Sequence, residues 1–208
     1  MKINKPKISM CDDKKLIEAY LENEFCNYHF KENIDKEITI SNIIIDSCIF
    51  DNIDFSNINF ENIELIDVIF NNCDLSNKSF NNKMMSRVEF NNSKMLGCSF
   101  VDASLRDIKF DNCNLKYLNC SNTKINNILF NECNLQESSF LEVEVKNMEL
   151  YKTNLEKSEF IKTKLYGIDF SNCDILNIMF DNYSLKGIIV DKYQCHHLVH
   201  MLGVNVKE

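Results

Sequence analysis

From Phe50 to Val190 every fifth residue is apolar, twenty-nine consecutive positions with no insertion or deletion that shifts the phase. Residues 51–75, DNIDFSNINFENIELIDVIFNNCDL, show the pattern: Phe55, Phe60, Leu65, Phe70 and Leu75 on the fives, with Ile53, Ile58, Ile63, Val68 and Cys73 two places before them. A helix returns every 3.6 residues and a strand every 2, so neither puts such a set on one face. A period of five is met by a short extended segment followed by a turn, repeated. The chain then coils, and each side of the coil points one residue inward beside a smaller neighbour.

The number of sides follows from which apolar residue stands where. Twelve of the fifteen multiples of ten from 50 to 190 are Phe, whereas of the fourteen intervening fives only Phe55 is. A three-sided coil would lay Phe over Leu at each rung. A four-sided coil returns after twenty residues and gives unbroken columns, Phe50, Phe70, Phe90, Phe110 and Phe130 on one face and Phe60, Phe80, Phe100, Phe140, Phe160 and Phe180 on the opposite one. With coils about 4.8 Å apart, about eight of them make a rod of about 40 Å. Corners need residues that accept left-handed backbone, and with four Gly and one Pro in the chain that role falls to Asn52, Asn72, Asn92, Asn112 and Asn172 and to Asn62, Asn82, Asn122 and Asn182. Lys78 and Lys83 occupy slots that are otherwise small or apolar, and are expected to snorkel out at the corners.

A chain of 208 residues, 45% hydrophobic and with net charge −8, is able to bury a core. The segment MKINKPKISMCDDKK has no apolar run ahead of its charges, and no stretch approaches eighteen apolar residues, so the expectation is a cytoplasmic protein with neither signal peptide nor membrane span. Ten cysteines then read as reduced thiols. Cys48, Cys73, Cys98, Cys113, Cys133 and Cys173 lie two places before a five and Cys120 lies on one, so these seven fill inward slots as small hydrophobes.

Three segments are expected: a capping segment over 1–25, the coil over 26–192, and a terminal element over 193–208. In DDKKLIEAYLENEF, residues 12–25, acidic residues suit a helix start, and Leu16, Ile17, Tyr20 and Leu21 form one stripe. An irregular first coil follows, with Phe30, Ile40 and Ile45 in phase and Asp35 breaking it. At the other end Asp191 is placed to cap a helix over 192–202, with Cys195, Leu198, Val199 and Leu202 on one stripe, Gly203 at its C′ position, and Val204 and Val206 beyond. One short helix leaves apolar surface over, and pairing two ends hides it, which predicts a homodimer.

Catalytic patterns are missing from the sequence. His196 and His200 have the spacing of a metal pair, but His197, Leu198 and Val199 between them supply no carboxylate. There is no CxxC, Gly-rich phosphate loop or nucleophile elbow. The reading is a non-enzyme without catalytic residues, metal or cofactor.

Charge is sorted by side. The Phe face through Phe110 carries Asp51, Glu89, Asp111, Glu132, Glu149, Asp169 and Asp191 against Lys109, Lys152 and Lys192, a net of −4. The opposite Phe face carries Glu61, Asp102, Glu142, Glu159 and Asp181 against Lys162, again −4. The face through Leu105 holds Arg87, Arg106, Lys124, Lys146, Lys164 and Lys186 against Glu64, Asp67, Asp107 and Glu144, a net of +2. The acidic carboxylates are candidate partner-binding residues, with the basic strip of Arg87, Arg106, Lys124 and Lys146 as the alternative.

The period resembles that of the pentapeptide-repeat family, consensus Ala-(Asp/Asn)-Leu-x-x, over residues 48–192, and implies its fold, an all-β right-handed quadrilateral β-helix. The ending LKGIIVDKYQCHHLVHMLGVNV, residues 185–206, resembles that of the Qnr quinolone-resistance proteins, where a last coil leads into a short helix, then Leu-Gly and a brief apolar strand. The uninterrupted phase after Phe50 is similar to the loop-free members from Gram-positive bacteria and mycobacteria. That resemblance implies an acidic homodimer that imitates duplex DNA and binds DNA gyrase and topoisomerase IV, protecting them from quinolones, with no direct nucleic-acid or membrane binding. A dimer about 80 Å long with charge −16 carries one net charge per ~5 Å against one per ~1.7 Å for DNA, so the imitation is diluted. The competing reading is a generic interaction scaffold with another protein partner.

Overall fold

The computed structural model describes residues 2–204 and shows a four-sided β-helix. In chain order its elements are β1 (Asp12–Asp13), α1 (Leu16–Glu22), β2 (Tyr28–Phe30), β3 (Ile38–Asp46), β4 (Ile49–Asp51), β5 (Ile58–Asn71), β6 (Met84–Asn91), β7 (Ser104–Asp111), β8 (Lys124–Ile125), β9 (Ile128–Asn131), β10 (Ser139–Leu141), β11 (Glu144–Val145), β12 (Met148–Tyr151), β13 (Glu159–Ile161), β14 (Met179–Phe180) and α2 (Gln194–Val199). Within the coil the strand pairs are parallel and join each residue to the one twenty further on, as in Phe70↔Phe90 and Phe90↔Phe110.

The twenty-residue register stacks the two Phe columns. Phe50, Phe70, Phe90, Phe110 and Phe130 lie 4.9 to 5.1 Å apart, with ring planes 4° to 8° from parallel. Phe80 stacks on Phe100 at 5.1 Å and Phe140 on Phe160 at 4.5 Å in the opposite column. The columns meet edge to face across the interior, Phe100 against Phe110 at 82° and Phe130 against Phe140 at 86°, so the aromatic quadrupoles are satisfied both along and across the rod. All the fives from Phe50 to Val190 are buried except Phe60, Val145, Leu185 and Val190, which are half-buried against the same core.

The smaller inward slot has a polar function as well as a packing one. Thr123, Thr153 and Thr163 hydroxyls donate to the carbonyls of Phe100, Phe130 and Phe140, twenty-three residues earlier, at 2.7 to 3.2 Å. The thiols of Cys73, Cys98 and Cys113 make the same contact to Phe50, Leu75 and Phe90. A Cys here is therefore both a small hydrophobe and a weak second donor to a buried carbonyl; that of Leu75, for one, also accepts the Lys78 amide. Lys78 sends its ammonium outward to the carbonyl of Ser56 at 3.3 Å, as snorkelling requires.

Left-handed backbone falls two places after the fives. Asn52, Asn62, Asn72, Asn82, Asn92, Asn112 and Asn122 take it as expected, with φ between 45° and 58°, but Asn172 and Asn182 do not. Arg87, Tyr117, Glu132, Glu137, Glu142, Lys152, Lys157 and Lys162 also adopt it, at φ 47° to 64°. The corner conformation is thus imposed by core and ladder on any residue placed there, against a local cost of roughly 1–2 kcal/mol for a residue with a Cβ. At two of these corners Asn adds a side-chain bond across one coil, Asn62 donating to Asn42 and Asn112 to Asn92 at 2.8 Å, and away from the left-handed positions Asn91 donates to Asn71 and Asn147 to Asn127 at 2.9 and 2.8 Å.

The N-terminal segment departs from the expected cap. Asp12 and Asp13 do not start the helix; they form β1, paired with Tyr28 and His29, and α1 begins after Lys15 without a side-chain cap. Its buried residues are Leu16 and Ala19, while Leu21 is 74% exposed. A seven-residue helix ending at Asn23 in left-handed geometry has room for one contact stripe, and Ala19 three residues after Leu16 fits it where Leu21 cannot. The phase break comes one residue early, with Ile34 buried and Asp35 exposed. Ahead of β1 the chain runs as a strap along one corner column: Cys11 lies against Ser47, the Lys7 amide donates to Asp67 at 2.8 Å, and Asn4 bonds Asp107 at 3.0 Å.

Candidate functional surfaces

On the face through Phe110 the carboxylates are largely engaged. Asp51 meets His29 at 2.5 Å and accepts from Asn71; Asp111 pairs with Lys109 at 2.6 Å and accepts from Asn131; Glu132 pairs with Lys152 at 3.1 Å. Lys109, with Asn131, holds the Asp111 carboxyl below the ordinary carboxylate range despite its partial burial. Asp169 is exposed and accepts from the Ser171 amide, Glu89 points out from β6, and Glu149 lies on β12. Asp191 turns to the chain end.

The opposite Phe face is more open. Glu61 and Asp102 are exposed with no ion pair among the described residues. Glu142 is neutralised by Lys162 at 2.6 Å, Glu159 accepts from Ser139, and Asp181 accepts the amides of Lys162 and Ser184. The expected acidic residues thus recur along two sides, but most of them carry local partners that the face totals conceal.

The basic strip divides. Arg87 forms a bidentate pair with Asp67, Nε to Oδ1 at 2.5 Å and Nη2 to Oδ2 at 2.7 Å, and is not available to a partner as a free cation. Arg106, Lys124 and Lys146 are exposed and line, with Lys164, a groove of about 690 Å³ on the Leu105 face.

At the C-terminus the helix is shorter than expected, Gln194–Val199 followed by a tight turn of helix over His200–Leu202. Asp191 does serve its start, accepting the Tyr193 and Gln194 amides at 2.7 and 2.8 Å. Gly203 ends it at φ 73°. Of the expected stripe, Leu198 is buried, Val199 half-buried and Cys195 exposed; Leu202 is 57% and Val204 49% exposed, and Val206 lies outside the described residues. The residue that fastens the helix is Gln194, whose buried amide donates to the carbonyls of Phe170 and Cys173 at 2.9 and 2.8 Å and whose oxygen accepts the Asp191 amide. It closes the last coil's open backbone groups. Nothing in the repeat phase marks it, because it acts outside the period.

Gly187, in the ending LKGIIV, has a clear cause. Its φ is 78°, and a Cβ there would stand 2.3 Å from Cδ2 of Tyr166. His196 and His200 stack edge to face at 5.7 Å, and no group of three or more metal-binding side chains occurs among the described residues.

Residues 63–140 match the family model of the pentapeptide repeat region. No curated protein sequence matches the chain. Among solved structures, full-length QnrB1, a plasmid-mediated fluoroquinolone resistance protein, is 23% identical, with 86% of this chain and 89% of that one covered and a TM-score of 0.45. HetL, a pentapeptide repeat protein involved in heterocyst differentiation regulation in the cyanobacterium Nostoc, is 12% identical over 85% of this chain and 96% of that one, with a TM-score of 0.40. The five-residue period, the twenty-residue register and the family match agree: residues 63–140 are a pentapeptide-repeat region, and the coils before and after it continue the same β-helix.

Proposed function

We propose that this chain is a cytoplasmic, topoisomerase-binding protein that imitates DNA and protects DNA gyrase and topoisomerase IV from quinolones, acting as a homodimer joined through its C-terminal ends. The observation that carries the reading is the uninterrupted coil bearing carboxylates on two sides, at intervals set by the spacing of the coils. A surface built to hold DNA is basic, so an anionic rod is drawn in and oriented by long-range charge, and binding weakens as salt rises. The Qnr-like ending supports the dimer, since Leu202 and Val204 stand exposed beside the anchored helix.

The test is a gyrase supercoiling assay with a fluoroquinolone, titrated with wild type and with Glu61→Lys, Glu89→Lys and Asp102→Lys combined. Wild type restores supercoiling and the variant loses protection with an unchanged unfolding profile. No rescue by wild type rejects the function; full rescue by the variant rejects the acidic-face mechanism. One observation favours the second reading, a scaffold for another partner: Asp111, Glu132 and Glu142 are each paired with a lysine, which thins the negative surface. In that case wild type binds no topoisomerase at any salt concentration.

A further inference from the structure

The Leu105 face carries one cation per coil over four successive coils. Arg106, Lys124, Lys146 and Lys164 are exposed and form no ion pair among the described residues. They alternate between the two outward columns that the twenty-residue register builds on this face. Ser104, Lys124, Glu144 and Lys164 make one column, and Arg106, Asn126, Lys146 and Tyr166 make the other. With coils about 4.8 Å apart, the four charges form a zigzag about 14 Å long. Diagonal neighbours stand about 7–8 Å apart, which avoids the repulsion of like charges stacked directly.

The row lines the groove of about 690 Å³, a volume within the ~300–1,000 Å³ range of ligand clefts. The floor of the groove is closed. β8 pairs with β7 and with β11, and the amides of Lys124, Asn126, Glu144 and Lys146 donate to the carbonyls of Ala103, Leu105, Thr123 and Ile125 at 2.9 or 3.0 Å. Recognition therefore falls to side chains, and the groove offers mainly donors: the four cations, the Ser104 hydroxyl and the Asn126 amide. Of its two carboxylates Glu142 is taken by Lys162 at 2.6 Å, which leaves Glu144 against four cations. On a chain of net charge −8 this is a local reversal of sign.

A ligand matched to such a row carries negative charge at short intervals, accepts along its length and brings no donors of its own. We infer that the groove binds a chain of linked phosphates, either free polyphosphate or the tail of a nucleotide. Arg and Lys are the side chains that hold phosphate, through charge-assisted hydrogen bonds. The borders of the row favour a narrow ligand. Glu142 stands on the rim, and Glu149 and Asp169 line the neighbouring groove that Lys146 also reaches. A single phosphate chain lies between these carboxylates, whereas a DNA duplex, with one charge per ~1.7 Å, overhangs both acidic sides and is repelled. Tyr183, 57% exposed, lines the same groove and offers a ring to a base. The four cations are not among the carboxylates invoked for topoisomerase binding, so either assignment can fail alone.

The probe is tripolyphosphate, titrated by calorimetry into the full chain at physiological salt without divalent cations. Orthophosphate, ATP, a hexaglutamate peptide and a short DNA duplex are titrated beside it. Tripolyphosphate binds once per chain, at least tenfold tighter than orthophosphate. Lys124→Gln/Lys146→Gln/Lys164→Gln weakens it tenfold or more. Lys15→Gln/Lys94→Gln/Lys157→Gln, the same loss of charge elsewhere on the chain, leaves most of the affinity. Glu144→Gln, which removes the carboxylate between Lys124 and Lys164, tightens binding. All these side chains are exposed, and circular dichroism checks that the coil is intact. ATP that binds tighter than tripolyphosphate, with the difference lost in Tyr183→Ala, marks a nucleotide site; ATP that binds no tighter marks a site for the free chain. No binding of tripolyphosphate, an equal loss in the two triple variants, or equal binding of hexaglutamate or of the duplex overturns the proposal.

Discussion

Asp67 and Arg87 occupy the same corner one coil apart, both in left-handed backbone, at φ 56° and 55°, and are joined by two charge-assisted hydrogen bonds. Asp67 is 6% exposed and its carboxylate also receives the Lys7 amide, so a single side chain ties two coils to the N-terminal strap. Burial alone would raise the Asp67 pKa, but the Arg87 guanidinium and the Lys7 amide outweigh it and hold the carboxyl below its ordinary value of 3.8. A depressed folded pKa gives stability that is complete above the unfolded value and is lost as pH falls through the folded one. Arg87→Ala is expected to cost about 1.5–3 kcal/mol at neutral pH, and the gap between variant and wild type should narrow below the ordinary carboxylate range. Denaturant titrations of both proteins across acid pH measure it.

Gly187→Ala should destabilise the last coil by two separable effects, positive φ and collision with the Tyr166 ring. The backbone effect is about 1–2 kcal/mol. Gly187→Ala with Tyr166→Ala removes the collision and keeps the strain, so the double variant should recover part of the loss in thermal unfolding. An equal loss in both would mean that the ring moves aside freely.

The cysteines should react in two classes. Cys26 and Cys195 are exposed, and seven others are buried, the same seven that the five-residue phase assigns to inward slots. Burial pushes the thiols of Cys48, Cys73 and Cys98 up to about 12, and Cys133 is raised further by its hydrogen bond with Cys113. In the native protein a thiol reagent at neutral pH should label Cys26 and Cys195 rapidly, and denaturation without reductant should release all ten. Fewer than ten would reveal a disulfide or a bound metal.

If the chain dimerises as proposed, Leu202→Asp is expected to leave a monomer in sedimentation without loss of the β-sheet circular dichroism signal, because that side chain is exposed on the single chain. Gln194→Ala should act differently, leaving the Cys173 carbonyl without its side-chain donor and the Phe170 carbonyl with the Cys173 amide alone, and loosening the helix itself, at about 1–3 kcal/mol. A dimer that survives Leu202→Asp places the contact elsewhere.

The coil was legible because one period governs burial, turn position and stacking together: the Phe and Leu alternation counts the sides, and the cysteine positions sort by the same rule. What escaped lies off the period. Asn4 and Lys7 sit in an extended segment with no apolar rhythm, and they are held by backbone and amide bonds to Asp67 and Asp107 that no spacing announces. Corners at Lys152 and Glu132 look like poor turn formers, because local propensity is overridden by the ladder. The acidic faces were countable from the sequence, but the pairing of Glu132 with Lys152 depends on which corner residues stack. The lack, among the described residues, of backbone hydrogen bonds from residues 144–152 to residues 164–171 was invisible because Val145 and Leu165 both keep the phase.

The exact register of twenty makes the rod a screw with quarter-turn clicks. Removing twenty residues from its middle would shorten it by one thread and leave every column in place, Phe over Phe and corner over corner. Removing five would keep an apolar interior at every level yet rotate the whole downstream half by one side, laying Phe over Leu and swinging the cationic groove round beneath an acidic flank. In such a protein length and azimuth are one variable, and the compass bearing of any surface group relative to the chain's other end is set by counting residues.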